Sequence, residues 1–359
     1  MRQPAHGGNL AWAAALAGCP PDAILDFSAS ISPLGPPNSA IAAILSQIGN
    51  LKHYPDPNYS ELRLALSHFH QLPPEWILPG NGSAELLTLI GRELAQLAAT
   101  ILITPAFGDY YRTLKAYNAK VLECPLSLVI GHWSLVIGHL SLTKDKGLLL
   151  NNPHNPTGKL FSRDSILPYL EQFALVVVDE AFMDFVLPNE EQSLIPVVQE
   201  YRNLVVLRSL TKFYSLPGLR LGYAIAHPDC LAKWQLWRDP WPVNTLAAAA
   251  AIAALQDTEF QQQTWAWLPP ARNQLFQGLA EIPGLQPQIS AANFLLVESQ
   301  QSTSQLQQQL LKHHQILIRD CLSFKELGDR FFRVAVREES DNQRLLTALS
   351  GEWGVGSRE

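Results

Sequence analysis

Short apolar runs alternate with longer helix-like segments along much of the chain. From about residue 60 onward, the runs that favour buried strands, each followed by polar or turn-forming residues, are 99–103, 147–150, 175–178 and 204–207. Residues 83–97 have the spacing of a helix. Strands that alternate with helices in this way predict an α/β fold around a mostly parallel sheet.

The pattern changes after about Pro240. An alanine-rich helix is expected over residues 245–255, and a glutamine-rich helical stretch follows it. Separate strand-like runs then lie at 294–298, 316–319 and 331–336. These segments predict a smaller α+β domain. Pro240 and Pro242 prevent a continuous helix between the two parts, so the linker is expected near residues 239–242.

The N-terminal region allows two interpretations. Residues 16–19 resemble a lipoprotein signal box that follows the apolar stretch 10–17. The positive charge before that stretch is limited to Arg2, which is weak for a signal segment. We therefore expect residues 10–17 to form a first helix that Asn9 caps.

Composition excludes several classes of protein. The chain has 359 residues, of which 47% are hydrophobic and 16% charged, so it can bury a large core and is not disordered. The net charge is -6 and no basic run stands out, which argues against nucleic acid as a partner. Four cysteines without a C-x-x-C spacing argue against a disulfide framework and fit a reducing cytoplasm. The longest apolar stretch, 246–255, is about half the roughly 20 residues of a membrane span, so no membrane partner is expected.

A seven-residue segment at 127–133 is repeated at 134–140 and differs only in its last residue. A single copy of this kind indicates a local duplication, since a solenoid needs at least three repeats. We interpret it as an insertion near a sheet edge. His132 and His139 are seven residues apart and lack the spacing of a helical zinc pair, so no metal site is predicted.

Lys212 lies just past the strand predicted at 204–207. Ser209 and Thr211 precede it, and Arg220 follows. A lysine in this place can form a Schiff base with an aldehyde cofactor, while the two hydroxyls and the arginine can surround a phosphate. A solvated surface lysine is the alternative.

Two further polar residues follow predicted strands. Asp179 comes directly after the run 175–178, at the end of a strand where α/β sheets bind ligands. A buried carboxylate needs a cationic partner, and the protonated ring nitrogen of pyridoxal phosphate supplies one. Asn155 lies in a turn-rich run after the strand at 147–150 and can donate its amide to the phenolic oxygen of that cofactor. A helix cap or salt bridge for Asp179, and an ordinary Asn-Pro turn for Asn155, are the alternatives.

The start of the helix at 83–97 offers a phosphate site. Backbone N–H groups of Gly82, Ser83 and Ala84 can bind a phosphate at the positive end of the helix dipole. Phe107 follows the strand at 99–103 and can stack on a pyridine ring, with core packing as the alternative.

Together these segments resemble the fold-type I pyridoxal-phosphate enzymes, in the class II aminotransferase branch that includes the histidinol-phosphate aminotransferases. The order and spacing of the motifs match over roughly residues 20–340. The resemblance implies pyridoxal 5'-phosphate as cofactor, with Lys212, Asp179 and Asn155 in the roles described above. It implies an N-terminal arm at 1–40 that joins the small domain and active site, a large cofactor domain at 41–240 and a small domain at 241–359.

The two ends of the chain are similar to the threonine-phosphate decarboxylases of the cobalamin pathway. The similarity rests on the segment from His6 to Asn9, on residues 26–35 and on the surroundings of Arg319 and Arg333. It implies decarboxylation of O-phospho-L-threonine, a small phosphorylated amino acid. His6, Gly7, Arg319 and Arg333 are then expected to bind the substrate's phosphate and carboxylate, together with Asn155 and Ser30. Tyr54 is expected to reach the cofactor phosphate of a neighbouring subunit, which implies a homodimer.

The chain departs from its relatives at two positions. Ser30 stands where the decarboxylase pattern usually has a substrate-contacting asparagine. Serine offers one hydroxyl in place of an amide with donor and acceptor ends. Phe182 stands where aminotransferases of this branch commonly have tyrosine, although the decarboxylase pattern also has phenylalanine. An aminotransferase for histidinol phosphate or an aromatic amino acid is the alternative function, which the motifs shared by the whole branch favour.

Overall fold

A computed structural model describes residues 7–126 and 144–355 of the chain. The helices are α1 (Leu10–Ala17), α2 (Asn38–Gln47), α3 (Ser60–His70), α4 (Gly82–Leu94), α5 (Gly108–Ala116), α6 (Arg163–Leu170), α7 (Pro228–Gln235), α8 (Thr245–Gln256), α9 (Thr258–Ala280), α10 (Thr303–His314) and α11 (Glu339–Val355). The strands are β1 (Leu25–Asp26), β2 (Ile77–Asn81), β3 (Ala99–Thr104), β4 (Val121–Pro125), β5 (Lys146–Asn151), β6 (Leu175–Asp179), β7 (Leu204–Ser209), β8 (Leu221–Ala226), β9 (Leu285–Pro287), β10 (Phe294–Ser299), β11 (Ile316–Leu317), β12 (Arg319–Asp320) and β13 (Phe331–Ala335). His6 and the repeat at 127–140 lie outside the described residues.

The central sheet has seven strands in the order β2-β8-β7-β6-β5-β3-β4. Strand β8 is antiparallel to both of its neighbours, and the pairs from β7 to β4 are parallel. Apolar clusters cover both faces, which explains why these strands are continuous apolar runs in the sequence. The expected α/β class with a mostly parallel sheet is confirmed. Parallel pairing brings the carboxyl ends of β5, β6 and β7 to one edge, at Asn151, Asp179 and Ser209.

A second sheet lies in the C-terminal part of the chain. Its four antiparallel strands run in the order β12-β13-β10-β9. Strand β1, near the N-terminus, pairs in parallel with β11, and the backbone N–H of Phe27 also donates to the carbonyl of Leu317 at 2.8 Å. The N-terminal segment is therefore joined to the C-terminal domain by backbone hydrogen bonds.

The expected strand at 316–319 is wrong in detail, because the chain changes sheets within it. Ile316–Leu317 pairs with β1, and Arg319–Asp320 pairs with β13. Between them, the carbonyl of Ile318 accepts a hydrogen bond from the Gln307 side chain at 2.7 Å. A side chain thus satisfies the backbone where the pairing partner changes.

The expected first helix is confirmed at Leu10–Ala17, where the Asn9 side chain accepts from the backbone N–H of Trp12 at 3.0 Å. Within residues 7–126 and 144–355, no helix is long and apolar enough to cross a bilayer. The same residues contain no cluster of three or more histidine, cysteine or acidic side chains that could hold a metal ion.

Candidate functional site

A cavity of about 310 Å³ lies at the carboxyl ends of the parallel strands. Three parts of the chain line it: the N-terminal segment around Ser30, the central sheet with its loops, and the C-terminal domain through Arg319 and Arg333. The lining residues predicted from the sequence are Gly7, Ser30, Ser83, Phe107, Asn155, Asp179, Thr211, Lys212, Arg220, Arg319 and Arg333. The site therefore combines residues that are far apart in the sequence.

Lys212 follows β7 and points into the cavity. Its Nζ lies 3.5 Å from the Ser209 hydroxyl and 5.1 Å from the centre of the Phe182 ring. Burial lowers the pKa of Lys212, Asp179 opposes that shift, and the positive charges of Arg220 and Arg333 add to it. A lowered pKa favours the neutral amine, which is the nucleophilic form.

Asp179 is buried, and both of its carboxylate oxygens have partners. The Tyr110 hydroxyl donates to Oδ2 at 2.7 Å, and the backbone N–H of Ala181 donates to Oδ1 at 3.0 Å. Burial raises the pKa of Asp179, while the hydrogen bond from Tyr110 and the charge of Lys212 oppose the shift. A cationic ring nitrogen placed beside Asp179 would supply the charge that this carboxylate needs.

The first turn of α4 forms a cradle beside Arg220. Gly82 has φ +70, and a Cβ atom there would lie 2.6 Å from Nη2 of Arg220, so a side chain would displace the guanidinium. The side chain of Asn81, which precedes the helix, makes no capping hydrogen bond to it. The hydroxyls of Ser209 and Thr211 are 2.7 Å apart. Helix N–H groups, two hydroxyls and a guanidinium fit a phosphate group.

Two buried arginines of the C-terminal domain complete the cavity. Nη1 of Arg333 donates to Oδ1 of Asn155 at 2.5 Å, and its Nη2 donates to the carbonyl of Ser28 at 3.1 Å. Among the described residues, Nε of Arg333 has no hydrogen-bond partner. Nη2 of Arg319 donates to the hydroxyl of Ser323 at 2.7 Å. Burial and the nearby charge of Arg319 lower the pKa of Arg333 to about 10, so a bound anion would stabilise its charged form.

Other predicted residues lie beside the cavity or away from it. Gly82 contacts Arg220, and Ser209 contacts Thr211 and Lys212. Ala84 follows Ser83 in α4 but is not among the lining residues. Tyr54 is 79% exposed, stacks on Trp241 with ring centres 4.4 Å apart, and does not line the cavity of its own chain.

Sequence reasoning missed several lining residues. Tyr110 lies one helical turn after Phe107, a spacing that predicts a shared helix face. Ser323 and Phe324 follow Arg319 within a few residues, but only the turn between β12 and β13 brings them to the cavity. No sequence signal separates them from ordinary loop residues.

A larger surface groove of about 1070 Å³ lies on the C-terminal domain. Glutamines and apolar or small residues form most of its lining, and Glu281 is the charged residue among them. Among the described residues, no lysine, arginine or histidine lines this groove, so it offers a phosphorylated ligand no cationic side chain.

Comparison with known proteins shows which family this chain is similar to. The model of aminotransferase class I and II matches residues 22–349. The threonine-phosphate decarboxylase of Salmonella typhimurium is 40% identical over 356 residues, which cover 96% of this chain and 95% of that protein. The adenosylcobalamin biosynthesis bifunctional protein of Leptospira interrogans is 31% identical over 368 residues, which cover 100% of this chain and 42% of that protein.

A solved structure has the same fold. The histidinol-phosphate aminotransferase from Clostridium acetobutylicum matches with a TM-score of 0.82 and 28% identity, covering 92% of this chain and 100% of that one. Both activities considered from the sequence thus occur among proteins similar to this chain.

Proposed function

This chain belongs to the class I and II aminotransferase family, and we propose that it decarboxylates O-phospho-L-threonine to (R)-1-amino-2-propanol O-2-phosphate. It has the fold of the fold-type I enzymes and uses pyridoxal 5'-phosphate as cofactor. The similarity to an adenosylcobalamin biosynthesis protein supports a role in that pathway. The observation that carries the proposal is one cavity in which Lys212 and Asp179 face two buried arginines.

The residues of the central sheet would hold the cofactor. Lys212 would bind its aldehyde carbon, Asp179 its ring nitrogen, Asn155 its phenolic oxygen and Phe107 its ring face. The groups that would bind its phosphate are Gly82, Ser83, Ala84, Ser209, Thr211 and Arg220. When bound, the cofactor supplies an electron-poor ring that takes up the electron pair left on the substrate when carbon dioxide departs.

Arg319 and Arg333 would bind the two anionic groups of the substrate. A planar guanidinium matches both carboxylate and phosphate, and burial strengthens such contacts. Fixing both ends of the substrate sets the rotation about the bond between its nitrogen and its Cα. This rotation decides whether the carboxylate or the hydrogen leaves Cα. His6, outside the described residues, and Gly7, in the cavity lining, are proposed to bind the same anions.

Lys212 would also act as the acid that completes the reaction. Its Nζ lies partly buried at the cavity wall, close to Phe182 and the Ser209 hydroxyl. The neutral amine would take up a proton that the ammonium group of the substrate releases, and it would donate that proton to the substrate's Cα after carbon dioxide has left. A transamination would instead require the same amine to remove the proton of Cα.

Ser30 is proposed as a substrate contact. It is buried in the cavity lining, and its hydroxyl has no hydrogen-bond partner among the described residues. A buried hydroxyl without a partner is costly, and a ligand that pairs with it would remove that cost. The serine is shorter than the asparagine of the decarboxylase pattern, so its hydroxyl reaches less far from the backbone toward the substrate.

A homodimer is part of the proposal. Tyr54 does not line the cavity of its own chain, and it lies exposed beside Trp241. Ile48 and Leu51, which precede it closely in the sequence, are exposed apolar side chains. Mixing a Tyr54→Ala variant with a Lys212→Ala variant tests the arrangement, because a mixed dimer then has one intact site. Recovery of activity on mixing is expected, and two separately inactive proteins that stay inactive would contradict shared sites.

We further propose that the enzyme works in the cytoplasm. Cys19, Cys124, Cys230 and Cys321 are all free thiols, as is usual in a reducing compartment. Cell fractionation with an antibody against the chain tests this location, and recovery in a membrane or extracellular fraction would contradict it.

The decisive experiment incubates the purified holoenzyme with O-phospho-L-threonine and measures carbon dioxide and keto acid, with an amino acceptor present. We expect carbon dioxide in proportion to the substrate consumed and no keto acid. The similarity to a histidinol-phosphate aminotransferase favours transamination as the second candidate. Keto acid without carbon dioxide, or turnover of histidinol phosphate instead, would replace the first proposal with the second.

A further inference from the structure

Tyr110 joins the hydrophobic core to the candidate site. Its ring lies in the apolar cluster on the face of the sheet that carries Leu149 and Val177, and 1% of the residue is exposed. Its hydroxyl lies at the edge of that cluster beside Asp179 and donates to Oδ2 of this residue at 2.7 Å. The chain thus uses a large core side chain to place one polar atom on one carboxylate.

Each carboxylate oxygen of Asp179 accepts one hydrogen bond from the protein, so each can accept another from a ligand in the cavity. Oδ1 accepts from the backbone N–H of Ala181, and Oδ2 accepts from Tyr110. Each carboxylate oxygen can accept a second hydrogen bond. Two donors on different oxygens also prevent the carboxylate from rotating about its Cβ–Cγ bond.

We propose that Tyr110 is a positioning residue, whose hydroxyl keeps Asp179 ionised and oriented toward the ring nitrogen of the cofactor. This inference rests on the proposed function, because it assumes that pyridoxal 5'-phosphate is bound with its ring nitrogen at Asp179. Tyr110 acts through Asp179, and its own contact with the substrate is not required.

The electrostatics of the pair support this role. A hydrogen bond to a carboxylate favours the charged form, whereas burial favours the neutral one. Burial and the adjacent charge of Asp179 raise the pKa of Tyr110 well above the usual value of a phenol, so its hydroxyl keeps its proton and stays a donor. Without this donor, the proton shared by Asp179 and the ring nitrogen would move toward the carboxylate.

Packing is the competing explanation, and the chain offers a matched control for it. Tyr223 is also 1% exposed, and its hydroxyl lies 2.7 Å from Nε2 of His70, away from the cavity lining. Tyr110→Phe and Tyr223→Phe each remove one buried hydroxyl with one partner and keep the ring. Only the first should change the bound cofactor.

The experiment reconstitutes the wild type and both variants with pyridoxal phosphate labelled with ¹⁵N in its ring. We expect the ring-nitrogen signal of Tyr110→Phe to shift toward that of the unprotonated nitrogen, and its cofactor affinity to fall about 10-fold. Tyr223→Phe should match the wild type in both measurements. Unchanged signals in Tyr110→Phe, or equal shifts in both variants, would overturn the inference.

Two further measurements separate the possible failures. A wild type that binds no labelled cofactor would refute the proposed function itself, before the variants are compared. In an Asp179→Asn background, Tyr110→Phe should weaken cofactor binding by less than 2-fold, because the carboxylate that it supports is gone. A loss as large as in the wild-type background would show that Tyr110 acts through packing and overturn its role.

Discussion

Two groups of polar residues lie at the ends of the same two strands but on opposite faces of the sheet. Asp179 and Ser209 are the last residues of β6 and β7, and they belong to the cavity side. Glu180 and Arg208 are their sequence neighbours and contact each other on the other side. Side chains alternate between faces along a strand, so one step in sequence separates the two groups.

The group around Arg208 is closed. Each guanidinium nitrogen of this arginine has an acidic partner: Nε pairs with Glu180 at 3.0 Å, Nη1 with Asp184, and Nη2 with Glu191 at 2.7 Å. The Ser193 hydroxyl bonds to both Arg208 and Glu180. This network leaves Arg208 no free donor nitrogen with which to bind a ligand.

The group around the cavity is open. Arg333 is 8% exposed and Arg208 is 2% exposed, so both are buried, yet Nε of Arg333 and the Ser30 hydroxyl have no partners among the described residues. Unpaired buried atoms occur in both groups, because Oδ2 of Asp184 also has no partner among the described residues. What distinguishes the groups is that Arg333 and Ser30 line a cavity, whereas Arg208 and its acidic partners do not. This difference separates a binding site from a structural ion network.

The largest effect is expected from Lys212→Ala, on the open side. Activity should fall by at least about a thousandfold, because both the cofactor link and the proton donor are lost. The free energy of unfolding should change by no more than about 1 kcal/mol. Enzyme assays and urea unfolding measure the two quantities. The absorbance of the lysine-linked cofactor should also disappear, and an unchanged spectrum would mean that another lysine binds it.

On the closed side, Arg208→Met should act on stability. Removing this arginine leaves Glu180 and Asp184 buried without their cation, which typically costs about 3–5 kcal/mol. Arg202→Met is the control, because its pair with Asp229 is exposed and contributes less than about 1 kcal/mol. Urea unfolding compares the two. An Arg208→Met variant that is stable but inactive would mean that this network takes part in the reaction. The distinction between a structural network and a binding site would then be wrong.

Arg333→Lys tests the open side without removing its charge. A lysine cannot reproduce the planar contacts of a guanidinium, so KM for O-phospho-L-threonine should rise about 10-fold to 100-fold. Cofactor affinity should change less than KM, because Arg333 supports the cofactor only through its hydrogen bond to Asn155. Arg337→Lys, at an arginine that pairs with Asp341 outside the cavity, should leave KM unchanged. A weaker affinity for the cofactor rather than the substrate would reassign Arg333.

The smallest effect is expected from Ser30→Ala. Loss of one neutral hydrogen bond to the substrate should raise KM about 2-fold to 10-fold. Ser32→Ala is a close control, since the Ser32 hydroxyl is also buried without a partner but does not line the cavity. Equal KM values for the two variants would mean that the Ser30 hydroxyl does not contact the substrate.

Local patterns predicted most of the central sheet correctly. The run 175–178 and the strand Leu175–Asp179 agree, because a strand buried on both faces must be continuously apolar. The helix expected at 83–97 is observed at Gly82–Leu94. The strand expected at 316–319 was divided, because its pairing partners lie far away in the sequence and no local pattern records them.

The candidate site divides in the same way. Lys212, Asp179 and Asn155 were identified because each lies at or shortly after the carboxyl end of a strand, where the fold class itself puts ligands. Tyr110, Ser323 and Phe324 were missed, because their approach to the cavity depends on how α5 and the turn after β12 pack. The assigned roles of all these residues stay predictions until the variants are measured.

By itself, the sequence determined the fold class, the family and the residue types available for chemistry. These depend on local periodicity and on motif order, which a chain carries without being folded. Only the tertiary structure decided which polar groups are closed and which are open. Glu180 and Arg208 look as functional in the sequence as Asp179 and Ser209. Three-dimensional packing alone joins the first two to each other and places Asp179 in the cavity lining, with Ser209 beside Lys212.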